Sequence, residues 1–459
     1  MTQERESLKS RLGFILISAG CAIGMGNVWK FPYMAGEHGG AIFVLIYLIF
    51  LVIMGIPVMT MEFATGRASR KSPVLLYQQL EKPGAKWHIQ GNLMFAGNVI
   101  LMMFYTTVSA WVLQYFIDML AGNFTGLDAT GVENQFGAMI SNPGMQILYM
   151  GIVVVAGFLI CSFGVQKSLE KVTKVMMIAL LGIMVILAIN SFFMSGATEG
   201  LSFYLVPSWE KFMEVGPFKV IVGAMTQAFF TLSLGIGSMA IFGSYINKDR
   251  SLLGEAINVT ILDTFVAITA GLIIFPACFS YNVDVNAGPS LIFITLPNIF
   301  NQMPLGSIWG SLFFLFMFFA AFSTVLAVFE NIISCTCDKF NISRKKACLF
   351  ACIAIFVLSI PCILGFNVLS SFTPFGEGTN VLDLEDFIVS YLLLPIGSLV
   401  FVLFCTSKYG WGWNNFKKEA NEGKGIKVKD WMQAYMTYAL PLIVFAYFII
   451  SMLTFFNVI

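Results

Sequence analysis

The chain has 459 residues, of which 58% are hydrophobic and only 11% are charged, with a formal net charge of +1. Apolar runs of about 20 residues, the length that crosses the hydrocarbon core of a bilayer, recur along the whole sequence. This composition predicts a polytopic membrane protein and excludes a sizeable soluble domain. The sequence has no basic cluster that would favour nucleic-acid binding, and its nine cysteines lack the spacing of a disulfide framework or a zinc site.

Hydropathy predicts eleven membrane spans in an all-α protein, which begin after a short charged N-terminal segment (1–11). They are 12–37, 41–66, 88–121, 145–163, 167–195, 213–246, 252–281, 305–337, 347–365, 382–406 and 432–456. With the N-terminus cytoplasmic, all of the 26 lysines and arginines except Lys30, Lys211 and Lys219 fall on the cytoplasmic side. This asymmetry favours eleven spans. An odd number of spans places the C-terminus outside the membrane, which would be the plasma membrane, or the inner membrane in a bacterium.

The first span contains an interruption that a lipid-facing helix would not need. Its run Ala19-Gly-Cys-Ala-Ile-Gly-Met-Gly-Asn27 carries three glycines, each costing about 1 kcal/mol in a helix interior. Irregular backbone at membrane depth persists only where protein or a watery cavity satisfies its N–H and C=O groups. We therefore expect a broken helix whose free carbonyls bind a ligand.

A second interruption, Thr231-Leu-Ser-Leu-Gly-Ile-Gly237, lies five spans later. Because five is an odd shift, a five-span unit would recur upside down, over residues 12–195 and 213–406. An external loop (282–304), a cytoplasmic loop (407–431) and an extra span (432–456) complete the predicted organisation. Paired broken helices in two inverted halves are typical of a transporter with a binding site at the midplane.

Three long motifs resemble the neurotransmitter:sodium symporter family. The first combines Arg11-Leu-Gly-Phe with the glycine run and its continuation to Pro32. The second is Gly55-Ile-Pro-Val-Met-Thr-Met-Glu-Phe-Ala-Thr-Gly-Arg67, and the third is Gln227-Ala-Phe-Phe-Thr-Leu-Ser-Leu-Gly-Ile-Gly237. The similarity extends over the whole chain, and eleven spans resemble the bacterial branch that carries tyrosine and other hydrophobic amino acids.

The resemblance implies two sodium sites built from oxygen ligands, which hard cations prefer. The first would use the carbonyls of Ala22 and Thr231 and the side chains of Asn27, Thr231 and Asp263. The second would use the carbonyls of Gly20, Ile23 and Ala320 and the hydroxyls of Ser323 and Thr324. The alternative for a Ser-Thr pair is back-bonding to its own helix.

Asp263 departs from the family pattern. Most relatives carry asparagine here and use bound chloride or a glutamate one turn later, where this chain has Ala267. A charged group within a span is a functional hypothesis by default. We expect Asp263 to supply the negative charge that chloride supplies elsewhere, which would make transport chloride-independent, and its protonation would permit proton counter-movement. The alternative is a structural carboxylate.

The resemblance also implies an amino acid site. Tyr105 and the backbone N–H of Gly26 would hold the substrate carboxylate, and the carbonyls of Ala22 and Phe230 with the Ser233 hydroxyl would hold its ammonium. Thr231 is a further predicted contact, and the residues around the side chain would be Cys21, Gly24, Leu101, Phe230, Ile236, Thr324 and Val328. This lining is mostly apolar, so we expect a hydrophobic or aromatic side chain.

Charged residues at the two mouths resemble the gates of the family. Lys30 and Asp386 match the outer pair, although most relatives have arginine at the first position. The inner gate would consist of Arg5, Asp338 and Tyr245. Glu330, a further carboxylate within a span, has no predicted role.

The sequence as a whole predicts a symporter that couples sodium entry to uptake of a small-molecule amino acid by alternating access. It predicts bound sodium ions and no organic cofactor. Apart from the amino acid, the lipid bilayer is the only predicted partner. A carrier for another amine or compatible solute is the alternative within transport, and an ion channel is a more remote one. With two histidines and no nucleophile–base pattern, the chain is not predicted to be an enzyme. Oligomeric state, sodium stoichiometry and the choice of amino acid stay open.

Overall fold

The computed structural model describes residues 10–283, 291–456 and 458. Apart from turns and connecting loops the described residues are helical, and their only β-pairing is an isolated bridge between Arg250 and Lys424. The predicted inner-gate residue Arg5 and part of the predicted external loop 282–304 lie outside the described residues.

The helices of the first half run from the N-terminal segment to the end of the fifth predicted span and its external connection. In chain order they are α1 (Arg11–Ala22), α2 (Gly26–Glu37), α3 (Ala41–Ser69), α4 (Pro73–Leu80), α5 (His88–Ala121), α6 (Ala129–Ser141), α7 (Pro143–Ser162), α8 (Val165–Phe192), α9 (Ala197–Leu205) and α10 (Trp209–Val215).

The helices of the second half begin with the sixth predicted span. They are α11 (Pro217–Thr231), α12 (Ser238–Gly243), α13 (Leu252–Ser280), α14 (Leu296–Gln302), α15 (Gly306–Phe340), α16 (Arg344–Leu364), α17 (Val381–Thr406), α18 (Trp413–Ala420) and α19 (Met432–Phe455).

Nine continuous helices of the described chain are long and apolar enough to cross a membrane, and α1 with α2 makes a tenth if the bent pair is one span. The sixth predicted span, 213–246, corresponds to α11 and α12, which have 15 and 6 residues and are separately too short. Its predicted start falls within α10, because Gly216 and Pro217 separate α10 from α11. The chain is thus an all-helical protein with many apolar spans.

Both predicted helix breaks are present. α1 ends at Ala22, Ile23 adopts an extended conformation (φ −69°, ψ 101°), and α2 continues at an angle of 58° to α1. Between α11 and α12, three residues have left-handed backbone conformations: Ser233 (φ 50°), Gly235 (φ 96°) and Gly237 (φ 73°). An α-helix cannot continue through such residues, and glycine adopts them without the steric cost of a Cβ.

The broken helix α1 lies inside the bundle. It packs against α8, α13 and α15, and α15 makes its most extensive contact with α5. In the most apolar stretch of α15, 78% of the residues are buried, against 22% in α19, which therefore lies at the periphery. The free backbone groups at the break thus face protein rather than the bilayer.

Candidate substrate and sodium sites

A cluster of carbonyl oxygens surrounds the hydroxyl of Thr324 on α15. Its Oγ1 lies 3.3 Å from the carbonyl oxygens of Gly20, Cys21 and Ile23 and 3.4 Å from that of Ala320. One hydroxyl has one proton, so it cannot satisfy four acceptors at once. The arrangement is a concentration of oxygen ligands suited to a hard cation.

This cluster contains the residues predicted for the second sodium site. Ser323 also belongs to it, since its hydroxyl donates to the Ala320 carbonyl at 2.9 Å. The Cys21 carbonyl is a neighbour that the prediction did not include. The local cause is the break after Ala22, because carbonyls there no longer have helical N–H partners four residues on.

A second polar cluster surrounds the buried carboxylate of Asp263 on α13. Asn27 Nδ2 donates to Asp263 Oδ1 at 2.8 Å, and the Thr231 hydroxyl donates to Oδ2 at 3.1 Å. All three side chains are at most 1% exposed. The side chains predicted for the first sodium site therefore meet at one point, where α13 faces the breaks of both helices.

The backbone around this cluster is fixed by two amide side chains. Asn27 Oδ1 accepts from the Gly24 N–H at 3.1 Å, and Gln227 Nε2 donates to the Gly26 carbonyl at 2.8 Å. The broken ends of the first and sixth predicted spans are thus hydrogen-bonded to each other. Two predicted ligand groups remain, the carbonyls of Ala22 and Thr231, which belong to the last residues of α1 and α11.

A small cavity of about 30 Å³ lies between the two breaks. It is lined by Cys21, Ala22, Gly24, Gly26, Leu101, Tyr105, Phe230, Ser233, Ile236, Thr324, Val389 and Leu394. Ten of the twelve residues predicted to contact the amino acid are among them. Of the other two, Thr231 lies in the Asp263 cluster, and Val328 is buried on α15 one turn after Thr324.

Tyr105 carries its hydroxyl group to the break of the first span. The Met25 N–H donates to this hydroxyl oxygen at 3.1 Å, which leaves the phenolic proton available to an acceptor. A Cβ on Gly24 would collide with the same hydroxyl and would lie 2.7 Å from Thr324 Oγ1. Gly24 is therefore required where α5, α15 and the broken helix approach one another.

The sequence prediction missed Val389 and Leu394, which close the cavity from α17. Both are ordinary apolar residues in an apolar helix, without a glycine, a charge or a hydroxyl to distinguish them. Their position follows from the close approach of α17 to the segment between α11 and α12. The Leu394 carbonyl oxygen lies against Gly235, and the Gly235 carbonyl oxygen lies against the backbone of α17. Only tertiary packing places them at the site.

A larger cavity of about 240 Å³ adjoins the first and contains the predicted outer-gate residues. Lys30 and Asp386 both line it, but no ion pair joins them among the described contacts. Lys30 Nζ lies 3.8 Å from the centroid of the Phe230 ring, and Asp386 Oδ1 accepts from the Ser390 hydroxyl at 2.6 Å. The two charges thus face each other across a space that Phe230 separates from the small cavity.

Glu330, which has no predicted role, is the centre of a buried network at the predicted inner end. Its side chain is 0% exposed and forms an ion pair with Arg344. The hydroxyls of Tyr245 and Ser334 donate to Glu330 Oε1 at 2.6 Å and 2.9 Å. Of the predicted inner gate, Tyr245 therefore binds Glu330, whereas Asp338 accepts from the Ser72 N–H at 2.8 Å.

Sequence comparison identifies the family directly. Residues 5–130 and 131–458 match the profile of the sodium:neurotransmitter symporter family. The chain belongs to this family. The resemblance in the three motifs is thereby confirmed, and the protein is a multi-pass membrane transporter of a family of sodium-dependent symporters rather than of enzymes.

Individual relatives agree with this assignment. An uncharacterized sodium-dependent transporter of Bacillus subtilis, YhdH, is 35% identical over 403 residues, which cover 87% of each chain. The sodium-dependent serotonin transporter of Drosophila melanogaster is 24% identical over 98% of this chain and 76% of its own. The crystal structure of MhsT in complex with L-phenylalanine superposes with a TM-score of 0.86 at 35% identity, covering 97% of this chain and 100% of MhsT.

Proposed function

We propose that the protein couples sodium entry to uptake of a hydrophobic or aromatic L-amino acid. The observation that carries the proposal is the small cavity between the helix breaks, which lies directly beside both oxygen clusters. Its lining is apolar except for the thiol of Cys21 and the hydroxyls of Tyr105, Ser233 and Thr324. MhsT, a structural neighbour over nearly the whole chain, has been crystallised with phenylalanine.

The amino acid would be oriented by the polar groups at the breaks. Its carboxylate would accept from the Tyr105 hydroxyl and from the Gly26 N–H at the start of α2, where unpaired N–H groups favour an anion. Its ammonium would donate to the carbonyls of Ala22 and Phe230 and to the Ser233 hydroxyl. The side chain would then contact the apolar lining formed by Leu101, Ile236, Val328 and their neighbours.

Two sodium ions would bind beside it. The first would be held by Asn27, Thr231, Asp263 and the Ala22 carbonyl, with the substrate carboxylate completing its shell. The second would be held by Ser323, Thr324 and the carbonyls of Gly20, Ile23 and Ala320. Sharing of the carboxylate would link the affinities for ion and amino acid, and by linkage each would raise the affinity for the other by the same factor.

Chloride would not be required, because the Asp263 carboxylate would itself supply negative charge to the first sodium site. Its two oxygens already accept from Asn27 and Thr231, so the negative charge is fixed at that point without an added anion. Replacing chloride by gluconate is therefore expected to leave uptake unchanged. A large loss of rate in gluconate would refute this part of the proposal.

Transport would proceed by alternating access in a bundle of eleven spans built from two inverted five-span repeats and one extra helix. The outer gate would comprise Lys30, Asp386 and the Phe230 ring, and the inner gate Arg5, Asp338 and Tyr245. A cavity of about 30 Å³ is roughly a tenth of the smallest volume usual for a ligand pocket. The breaks must therefore move apart to admit an amino acid, as alternating access requires.

The alternatives make different demands on the same cavity. A cationic amine would call for a carboxylate beside its ammonium, yet none of the twelve described lining residues is acidic. An ion channel would need a continuous polar path, whereas the Phe230 ring and buried apolar side chains separate the two cavities.

Thermal unfolding of the purified protein, measured with each amino acid in sodium and in potassium, tests the proposal. Hydrophobic amino acids are expected to raise the Tm in sodium and to have little effect in potassium, because a ligand stabilises by RT ln(1 + [L]/Kd). Stabilisation by amines alone would favour the rival carrier. A lack of stabilisation by every hydrophobic amino acid would contradict the proposed substrate class.

A further inference from the structure

The unwound segment between α11 and α12 is held by hydrogen bonds from two other helices. Asn98 on α5 donates from Nδ2 to the Ile236 carbonyl at 2.8 Å. Glu62 on α3 accepts from the Gly235 N–H at 2.6 Å. Because the segment is buried and lacks helical partners, these side chains satisfy groups that would otherwise be costly to bury.

Asn98 is itself fixed in one orientation. Its second Nδ2 proton goes to the Met94 carbonyl at 2.7 Å, and its Oδ1 accepts from Asn331 Nδ2 at 3.2 Å. Asn331 Oδ1 in turn accepts from the Cys335 thiol at 3.4 Å. Reversing the Asn98 amide would direct its oxygen at two carbonyls, so the network from α15 specifies which group meets Ile236.

The same turn of α5 also contacts the Ile236 side chain. A Cβ on Gly97 would lie 3.4 Å from Ile236 Cγ2, and Leu101, one turn later, lines the small cavity together with Ile236. The cavity holds about 30 Å³, so room for a hydrophobic side chain requires displacement of lining residues. Movement of Ile236 away from the cavity is limited by the hydrogen bond from Asn98 to its carbonyl.

We propose that Asn98 is a positioning residue for substrate selection, which sets the depth of the side-chain pocket by fixing the Ile236 backbone. This inference depends on the proposed function, since it assumes that the cavity holds an amino acid side chain. Asn98 does not line the cavity, and it acts only through Ile236. Without this bond Ile236, which forms the floor of the side-chain pocket, would move away from the cavity and deepen the pocket. A small side chain would then lose contact with the floor, whereas a large side chain would fill the added space.

Binding of leucine and tryptophan at saturating sodium tests the proposal, with Kd measured by calorimetry on the purified full-length protein. The Asn98→Leu variant removes the donors without a large change in volume. We expect it to raise the ratio of Kd for leucine to Kd for tryptophan about tenfold, within the range by which a hydrophobic pocket discriminates one methylene. Asn92→Leu is the matched control, because Asn92 lies two turns earlier on α5, is exposed, and accepts from Lys339.

A second variant keeps the test independent of the folding of the first. Asn331→Leu leaves the Asn98 donors in place but removes the group that orients them, so it should shift the ratio in the same direction by a smaller factor. An unchanged ratio in variants that still bind amino acids would overturn the role of Asn98. A wild-type protein that binds no hydrophobic or aromatic amino acid at all would instead overturn the proposed function.

Discussion

Replacing Thr324 by valine perturbs the oxygen cluster at a single atom. The substitution keeps the shape of the side chain and removes the one oxygen that lies within 3.4 Å of four carbonyl oxygens. Removing one partner of a buried polar group costs about 1–3 kcal/mol. The apparent Kd for sodium is therefore expected to rise roughly 5- to 150-fold.

The assay is the sodium dependence of thermal unfolding in the absence of any amino acid, which separates ion binding from substrate binding. Thr336→Val is the matched control, because Thr336 is buried on the same helix and donates only to the Ile332 carbonyl of its own helix at 2.7 Å. Equal sodium dependence in Thr324→Val, Thr336→Val and the wild type would refute a cation at this cluster.

Three further variants test other parts of the account. Asp263→Asn removes the fixed charge that Asn27 and Thr231 surround, so sodium-driven amino acid uptake by this variant should fall at least tenfold. An uptake rate equal to that of the wild type would refute the coupling role of the carboxylate. Arg344→Gln leaves Glu330 as an uncompensated buried charge and should lower the free energy of unfolding by about 3 kcal/mol, measured by chemical unfolding. Adding Glu330→Gln removes that charge and should restore part of the lost stability. A double variant that is less stable than Arg344→Gln alone would contradict an ion pair. Gly24→Ala should abolish amino acid binding in calorimetry because its Cβ collides with the Tyr105 hydroxyl, and retained wild-type affinity would show that the site lies elsewhere.

The sequence was most informative where function imposes residues that a lipid-facing helix does not favour. The glycines at positions 24, 26, 235 and 237 predicted both helix breaks, because such runs have no structural value in lipid. The aspartate at 263 was conspicuous for a similar reason, since a carboxylate within an apolar span needs partners. The structure brings those partners, Asn27 and Thr231, to its two oxygens.

What the sequence could not predict depends on contacts between distant segments. Val389 and Leu394 carry no chemical signal and reach the cavity only because α17 packs against the unwound segment. The ion pair of Glu330 could not be predicted, because Arg344 lies between two predicted spans among basic residues that favour the cytoplasmic side, whereas the structure places it at the start of α16. Asn98 and Asn331 are likewise isolated polar residues within predicted spans, and nothing in the sequence indicates the hydrogen bond that connects them in the structure.

The central claim is that a sodium gradient drives uptake of a hydrophobic amino acid through this protein. The most direct measurement is accumulation of radiolabelled phenylalanine, tyrosine, tryptophan, leucine or methionine in proteoliposomes, with an inward sodium gradient and gluconate as the only anion. At least one of them is expected to accumulate above the external concentration, and a sodium ionophore is expected to collapse this accumulation. Equal uptake with and without the gradient, or sodium entry that is independent of every amino acid, would contradict the central claim.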